Sequence, residues 1–218
     1  IVNNYGQGIA SISSVIANEG ANKVNFVHNG GGTTVLQSDN TFTGDHYLNG
    51  GVVEISSDSQ LGDVYGSIVR FERVNSGGNG SSTSTAAYST NTGAAIILNT
   101  AIAPVTPAVT TFNSNTTVVT ATAITSGGEG YSSGIWADLD DPSRTTENKA
   151  GVWAILDSGN LHFNGGTLSV TDDVSLNAAR TIFLDHGGGT LQVAEGKTLT
   201  IDGYIASEKS YVSAANGY

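Results

Sequence analysis

Apolar residues recur along this chain in short alternations rather than at helical spacing. Thr167-Leu-Ser-Val170, Thr190-Leu-Gln-Val193 and Thr198-Leu-Thr-Ile201 each place an apolar side chain at every second position, and each is bounded by Gly, Asn or Asp. The one stretch with helical character, residues 175–180, is too short to stand as a helix and leads into Thr181-Ile-Phe-Leu184. Strands are therefore predicted throughout. Gly-Gly followed by a strand recurs at Gly31-Gly32-Thr33, Gly50-Gly51-Val52, Gly165-Gly166-Thr167 and Gly188-Gly189-Thr190, about 20 residues apart within each half, a period of stacked repeats. The pattern predicts a right-handed parallel β-helix, a β-solenoid, with Val35, Leu48, Val53, Ile55, Leu168, Val170, Leu191, Val193, Leu199 and Ile201 facing inward and glycines at the corners. Between the halves, residues 75–91 are rich in Ser, Gly, Thr and Asn, and Pro104 and Pro107 flank a run through Val118, Val119 and Ile124. Residues 75–135 are expected to form a β-rich insertion within a single domain spanning 1–218.

Composition narrows the function. Hydrophobic residues make up 38% of the 218 and glycine accounts for 29 positions, which implies many tight turns. A net charge of −11 with eight Lys and Arg leaves no basic stripe to neutralise phosphates, which argues against nucleic acid, and it would repel anionic lipid headgroups. No apolar run approaches the ~20 residues that a membrane-spanning helix needs, so no membrane insertion is expected. Cysteine and methionine are absent. That removes disulfides, thiolate metal sites and a cysteine nucleophile, and it suits an extracellular or cell-surface protein. The chain starts at Ile1, the mark of a processed product or an excised piece.

Two segments are similar to passenger-associated repeats of bacterial autotransporters and related extracellular β-helix surface proteins. The first, residues 31–62, reads GGTTVLQSDNTFTGDHYLNGGVVEISSDSQLG; Asn40, Thr41, Phe42, Thr43 and Gly44 carry its corner, and Ser59-Gln-Leu-Gly62 closes it. The second, residues 178–205, reads AARTIFLDHGGGTLQVAEGKTLTIDGYI. Residues 124–135, ITSGGEGYSSGI, resemble a Gly-Gly-x-Gly-Tyr turn of large extracellular repeat proteins. The resemblance implies an exported right-handed β-helix and no particular reaction. It covers a quarter to a third of the chain, and no strands of a C-terminal membrane barrel accompany it.

Chemistry-bearing residues are scattered. Asp138, Asp140 and Asp141 share one turn and could offer oxygens to a cation, though the glycine of an EF-hand loop is missing and a solvated acidic turn closed by Pro142 explains them as well. Asp172, Asp173, Arg180 and His186 could be an acid, a base and a charge clamp from neighbouring coils of a polysaccharide-cleaving β-helix, yet no motif ties them together. His28, His46, His162 and His186 lack metal-ligand spacing and are expected at solvent-facing or strand-end positions. Trp136, Tyr131 and Trp153 could stack on sugar rings or pack the insertion. Asn79-Gly80-Ser81 and Asn115-Thr116-Thr117 match a glycosylation sequon and receive no role. No catalytic, cofactor-binding or metal site is assigned, and no cofactor is expected.

A structural role is the expectation that remains, with a glycan- or surface-binding adhesin as its alternative and an enzyme or ice binder ranked below. Among the resembled repeats, a segment like 178–205 is commonly followed by one like 31–62; here the order is reversed, so the C-terminal end looks like the predecessor of the N-terminal one. Neither end carries an evident cap. Ile1, Val2, Ile9 and Ile12 at one end, and Tyr211, Val212 and Tyr218 at the other, are therefore the candidates for head-to-tail association of copies of the chain into a filament.

Overall fold

The computed structural model describes residues 1–72, 92–98, 109–115, 118–126, 136–139 and 151–207. These form an all-β protein. The strands, in chain order, are β1 (Val2–Asn3), β2 (Ile9–Ile12), β3 (Phe26–Asn29), β4 (Thr33–Leu36), β5 (His46–Leu48), β6 (Val52–Ile55), β7 (Ile68–Glu72), β8 (Thr92–Leu98), β9 (Val109–Asn115), β10 (Val118–Ser126), β11 (Trp136–Leu139), β12 (Gly151–Leu156), β13 (Leu161–Phe163), β14 (Thr167–Val170), β15 (Val174–Leu176), β16 (Ile182–Leu184), β17 (Thr190–Val193), β18 (Leu199–Ile201) and β19 (Ile205–Ser207). No α-helix occurs among the described residues, and a single 3-10 turn covers Asp58–Leu61.

The chain divides into two compact units, Ile1–Tyr65 with Ser158–Val212 and Gly66–Asp157 with Ser213–Tyr218. In the second unit β7 to β12 form one antiparallel sheet in the order β10-β9-β8-β11-β12-β7, and β8, β9 and β10 lie within residues 75–135.

In the first unit the sheets are parallel. Sheet A runs β1-β3-β5-β13-β16-β19, sheet B runs β2-β4-β6-β14-β17, and β15 pairs with β18. Apart from these last two, strands consecutive in the chain fall alternately in A and B, so each passage adds one layer to both sheets. Register is strict: Val53 lies opposite Leu168 and Leu168 opposite Leu191, while Ile55, Val170 and Val193 form the next column. Such columns bury one face of β3, β4, β5 and β6 and both faces of β13. The core holds Phe26, Leu36, Phe42, Leu48, Val53, Ile55, Leu61, Leu161, Phe163, Leu168, Val170, Val174, Leu176 and Ile182.

Five of the ten side chains expected inward are fully buried: Leu48, Val53, Ile55, Leu168 and Val170. Val35 is a correction. It is half-buried and lies opposite Glu54, because the pleat of β4 turns Thr34 and Leu36 to the core. Two adjacent apolar residues made either register plausible from sequence. Leu191 and Val193 do stand in the buried columns, yet β17 is the last strand of sheet B among the described residues, and both are exposed there. Leu199 and Ile201 on β18 are half-buried for the same reason.

The corner motifs have local causes. Gly51 has φ of 58° between sheets A and B, and a Cβ there would stand 2.4 Å from the Gly32 carbonyl oxygen. Only glycine fits. Asn40 is buried and joins two layers: its Oδ1 accepts from the Ile16 amide at 2.7 Å and its Nδ2 donates to the Gln60 carbonyl at 2.6 Å. Phe42, two residues on, is a core side chain. Ser57 and Gln60 form a capping box on the 3-10 turn, and Gly62 ends it at φ of 73° beneath the Phe42 carbonyl.

Polar ladders flank sheet A. Before the strands, Asn25 Oδ1 accepts the Asp45 amide (2.9 Å), Asp45 Oδ1 accepts the Asn160 amide (2.9 Å), and Asn160 Oδ1 accepts the Thr181 amide (3.2 Å). After them, Asn49 Nδ2 donates to Asn29 Oδ1 (3.0 Å) and Asn29 Nδ2 to Asn3 Oδ1 (2.9 Å). Each rung satisfies a group that would otherwise interrupt the corner. Asn29→Ala removes two rungs and is expected to cost about 1–2 kcal/mol in urea denaturation, whereas Asn3→Ala, which removes one, costs less. Equal costs would show that the rungs do not act as a ladder.

Candidate functional site at the ends of the strand stack

Among the described residues, the parallel sheets of the first unit end at β1 and β2 on one side and at β17, β18 and β19 on the other. At the N-terminal end, among the described residues, β1 pairs with β3 alone and β2 with β4 alone. Val2 lies opposite the buried His28 and Ile12 opposite Leu36, so both continue inward columns and both are half-buried against the core. Ile1 is 85% exposed. Ile9 is 73% exposed, but it lies opposite Thr33 on the outward side of β2, so it flanks the open edge rather than ending a core column.

At the C-terminal end the last described strands are β17, β18 and β19. Leu191 and Val193 are 40% and 38% exposed, whereas Leu168 and Val170, one layer below in the same columns, are at 0%. Ile205 is 47% exposed above a buried Ile182. Their position decides this, since the residue types match. Tyr211, Val212 and Tyr218, the candidates named from sequence for this end, lie outside the described residues. Sequence reasoning assigned Leu191 and Val193 to the interior and so missed them as exposed residues of the last described strand of sheet B.

Parallel strands leave a defined set of backbone donors at such an edge. Thr190 and Ala194 donate their amides to Gly166 and Val170 of the layer below. Because amide direction alternates along a strand, the N–H groups of Leu191 and Val193 point off the sheet. Among the described residues, this edge therefore combines exposed apolar side chains with ladder donors that point off the sheet.

The remaining candidates are separately engaged. Arg180 is buried: its Nε donates to Asp58 Oδ1 at 3.0 Å and its Nη2 to Asp58 Oδ2 at 3.2 Å, while the carbonyls of Gly159 (2.6 Å), Gly62 (3.0 Å) and Leu61 (3.4 Å) accept the rest. Asp172 pairs with Lys197 at 2.6 Å, and that ammonium, first through its hydrogen bond, holds the carboxyl below its usual range. Asp173 Oδ1 accepts the Thr198 amide at 2.8 Å. His186 is exposed.

Of the other three histidines, His46 stands at a strand end, opening β5, while His28 and His162 lie within their strands and correct the expectation of solvent-facing or strand-end positions. His28, His46 and His162 are buried. His28 Nδ1 donates to the Gly50 carbonyl at 2.9 Å and His46 Nε2 to the Leu61 carbonyl at 2.6 Å. Burial, assisted by the nearby positive charge of Arg180, pushes His46 down to about 3. His162 stacks between Tyr47 (4.7 Å) and Phe183 (4.8 Å), with Nε2 3.6 Å from Asp45 Oδ2. Burial raises the Asp45 carboxyl, but His162 and the Asn160 amides outweigh it and hold the group low.

Among the described residues no three His, Cys, Asp or Glu side chains are grouped to hold a metal ion, and no helix is long and apolar enough to cross a membrane. Trp136 lies opposite Trp153 between β11 and β12, and Asp138 opposite Gly151. Tyr131, Asp140 and Asp141 are outside the described residues. No family model matches the chain, and neither the curated proteins nor the solved structures contain a match.

Proposed function

We propose that this protein is a secreted or cell-surface structural element, a right-handed β-solenoid related to the autotransporter-type repeats, whose copies stack end to end into an extracellular filament or scaffold. The observation that carries this reading is the contrast along single columns: side chains buried in the interior layers recur, with the same apolar character, uncovered at the C-terminal end, while Val2 and Ile12 stand at the opposite one. A second copy placed head to tail would extend the parallel ladders and bury these residues, and each fully covered Val, Leu or Ile contributes about 1.5–3 kcal/mol. Such a heterologous contact propagates unless rotation closes a ring.

Light scattering and negative-stain imaging across a concentration series test the proposal. Filaments or rods that lengthen with concentration are expected for the full chain. Val2→Asp and Ile205→Asp, which place a charge on an end face at little cost to the fold, should each raise the concentration for assembly by at least ten-fold. A chain that remains monomeric at high concentration would overturn the reading.

A further inference from the structure

Three of the four strand pairs of sheet B close in the same way just past the ends of their strands. The Gln37 amide donates to the Ile12 carbonyl, the Thr171 amide to that of Ile55 and the Ala194 amide to that of Val170, each at 2.9 Å. By the same pattern the Ser56 amide would close β6 onto the Leu36 carbonyl of β4. It is engaged elsewhere. Gln60 Oε1 takes that amide at 2.7 Å, and the paired register of β4 and β6 stops one residue early, with Val35 opposite Glu54. The ladder opens there, and a cavity of about 210 Å³ lies at the gap.

We propose that this cavity binds a single neutral hexopyranose, as a free sugar or as the terminal residue of a glycan. Size is the first argument: sites for drug-sized ligands hold about 300–1,000 Å³, so this one has room for one six-membered ring and not for a chain of them. Its lining is the second. Leu36 and Ile55 turn their side chains into the core and so present backbone to the cavity, and the Leu36 carbonyl there lacks its ladder donor. Glu54, half-buried on the outward side of β6, and Gln37 have no side-chain partner among the described residues. Ser56 Oγ accepts from Gln60 Nε2 at 3.3 Å and keeps its own hydrogen to donate. Val35, half-buried on the outward side of β4, adds an apolar wall.

Acceptors outnumber donors in this set, and neighbouring hydroxyls are the groups that satisfy them. A carboxylate accepts from two adjacent ring hydroxyls, a carbonyl from a third, and the Gln37 amide both gives and accepts, while the Val35 methyls suit the C–H face of the ring. A calcium ion, by contrast, takes six to eight oxygens and more charge than one carboxylate brings, and among the described residues no three His, Cys, Asp or Glu side chains are grouped for it. Sugar acids would place a like charge beside Glu54 on a chain of net charge −11. The cavity sits on the flank of the strand stack, so sugar binding and end-to-end assembly can each fail without the other.

Amide shifts of the isotope-labelled full chain, followed by NMR, test this with glucose, galactose and mannose, each as the reducing sugar and as its methyl glycoside. At least one is expected to move the Gln37, Ser56 and Thr171 amides saturably, with a dissociation constant on the order of 1 mM, the level that a few hydrogen bonds to a small ligand supply. Glu54→Gln should weaken that binding about ten-fold and Gln37→Ala about five-fold, the losses for a charged and a neutral hydrogen bond. Gln192→Ala, in the same outward column two strands from Glu54, should leave it unchanged, and unmoved Leu168 and Val170 amides show that each variant keeps its fold. Binding of the methyl glycoside identifies a terminal residue and binding of the reducing sugar alone a free one; either upholds the site. No saturable shift from any of these sugars would overturn it, as would binding that Glu54→Gln and Gln37→Ala leave intact. Calcium chloride moving the same amides where the sugars do not would also overturn it and give the cavity to a cation.

Discussion

Replacing Arg180 by methionine is expected to destabilise the first unit by about 3–5 kcal/mol, the range for removing one partner of a buried ion pair. The guanidinium is enclosed, and its donors serve Asp58 and three carbonyls together. Methionine fills much of the volume but takes the arginine's donors from Gly62 and Gly159, while the Leu61 carbonyl keeps that of His46. Arg180→Lys is expected to lose most of the same stability, because one ammonium cannot span Asp58 and the carbonyls at once. Asp58→Asn should cost less, since Asp58 is partly exposed and the carbonyl bonds survive. Urea denaturation followed by far-UV circular dichroism measures all three. A loss under 1 kcal/mol for Arg180→Met would refute this account of the site.

Acid is expected to weaken the fold in two stages. His46 titrates near 6.5 when unfolded and at about 3 in the folded chain, so between these values the unfolded state holds more protons. Stability therefore rises with pH across this window at up to about 1.4 kcal/mol per unit and levels off above it. Asp45 adds a second loss: its folded value lies below the ordinary one of 3.8, so its stabilisation is present above that value and disappears as pH falls through the folded one. Denaturation midpoints from pH 8 to 4 isolate the histidine. His46→Leu should flatten the profile between pH 6 and 4, and an unchanged slope would move the titration to another group.

The reading of strands and corners from sequence rested on local signals, and those carried well. The alternations at 167–170 and 190–193 are β14 and β17 as drawn, and Gly50-Gly51 marks a corner where positive φ and a close carbonyl both require glycine. Relations across layers were not legible. Arg180 and Asp58 lie 122 positions apart, and nothing local to either distinguishes a buried bidentate pair from two surface charges. His46 looks like any polar residue opening a strand until the column Phe26, His46, Leu161 places it inside. The end face was obscured for a related reason. Leu191 and Val193 carry the same alternation as Leu168 and Val170, and their exposure follows from standing on the last described strand of sheet B, which periodicity does not record.

The neighbour relation between β5 and β13 sets the order in which the first unit can form. Phe26 meets His46 twenty residues along the chain, but Leu161, the next member of the column, comes 115 residues after His46. Closing that longer loop costs about 1.5 kcal/mol more than closing a twenty-residue one, by the logarithmic dependence on loop length. During synthesis the strands up to β6 can pair as they appear, and then must wait while residues 66–157 are made, roughly 5–20 s at ordinary elongation rates. For that interval β5 and β6 are themselves the open edge, with Leu48, Val53 and Ile55 in the position that Leu191 and Val193 occupy in the finished unit. The nascent chain thus passes through a stage in which its middle is its end, and a premature partner at that edge would exclude β13 and β14.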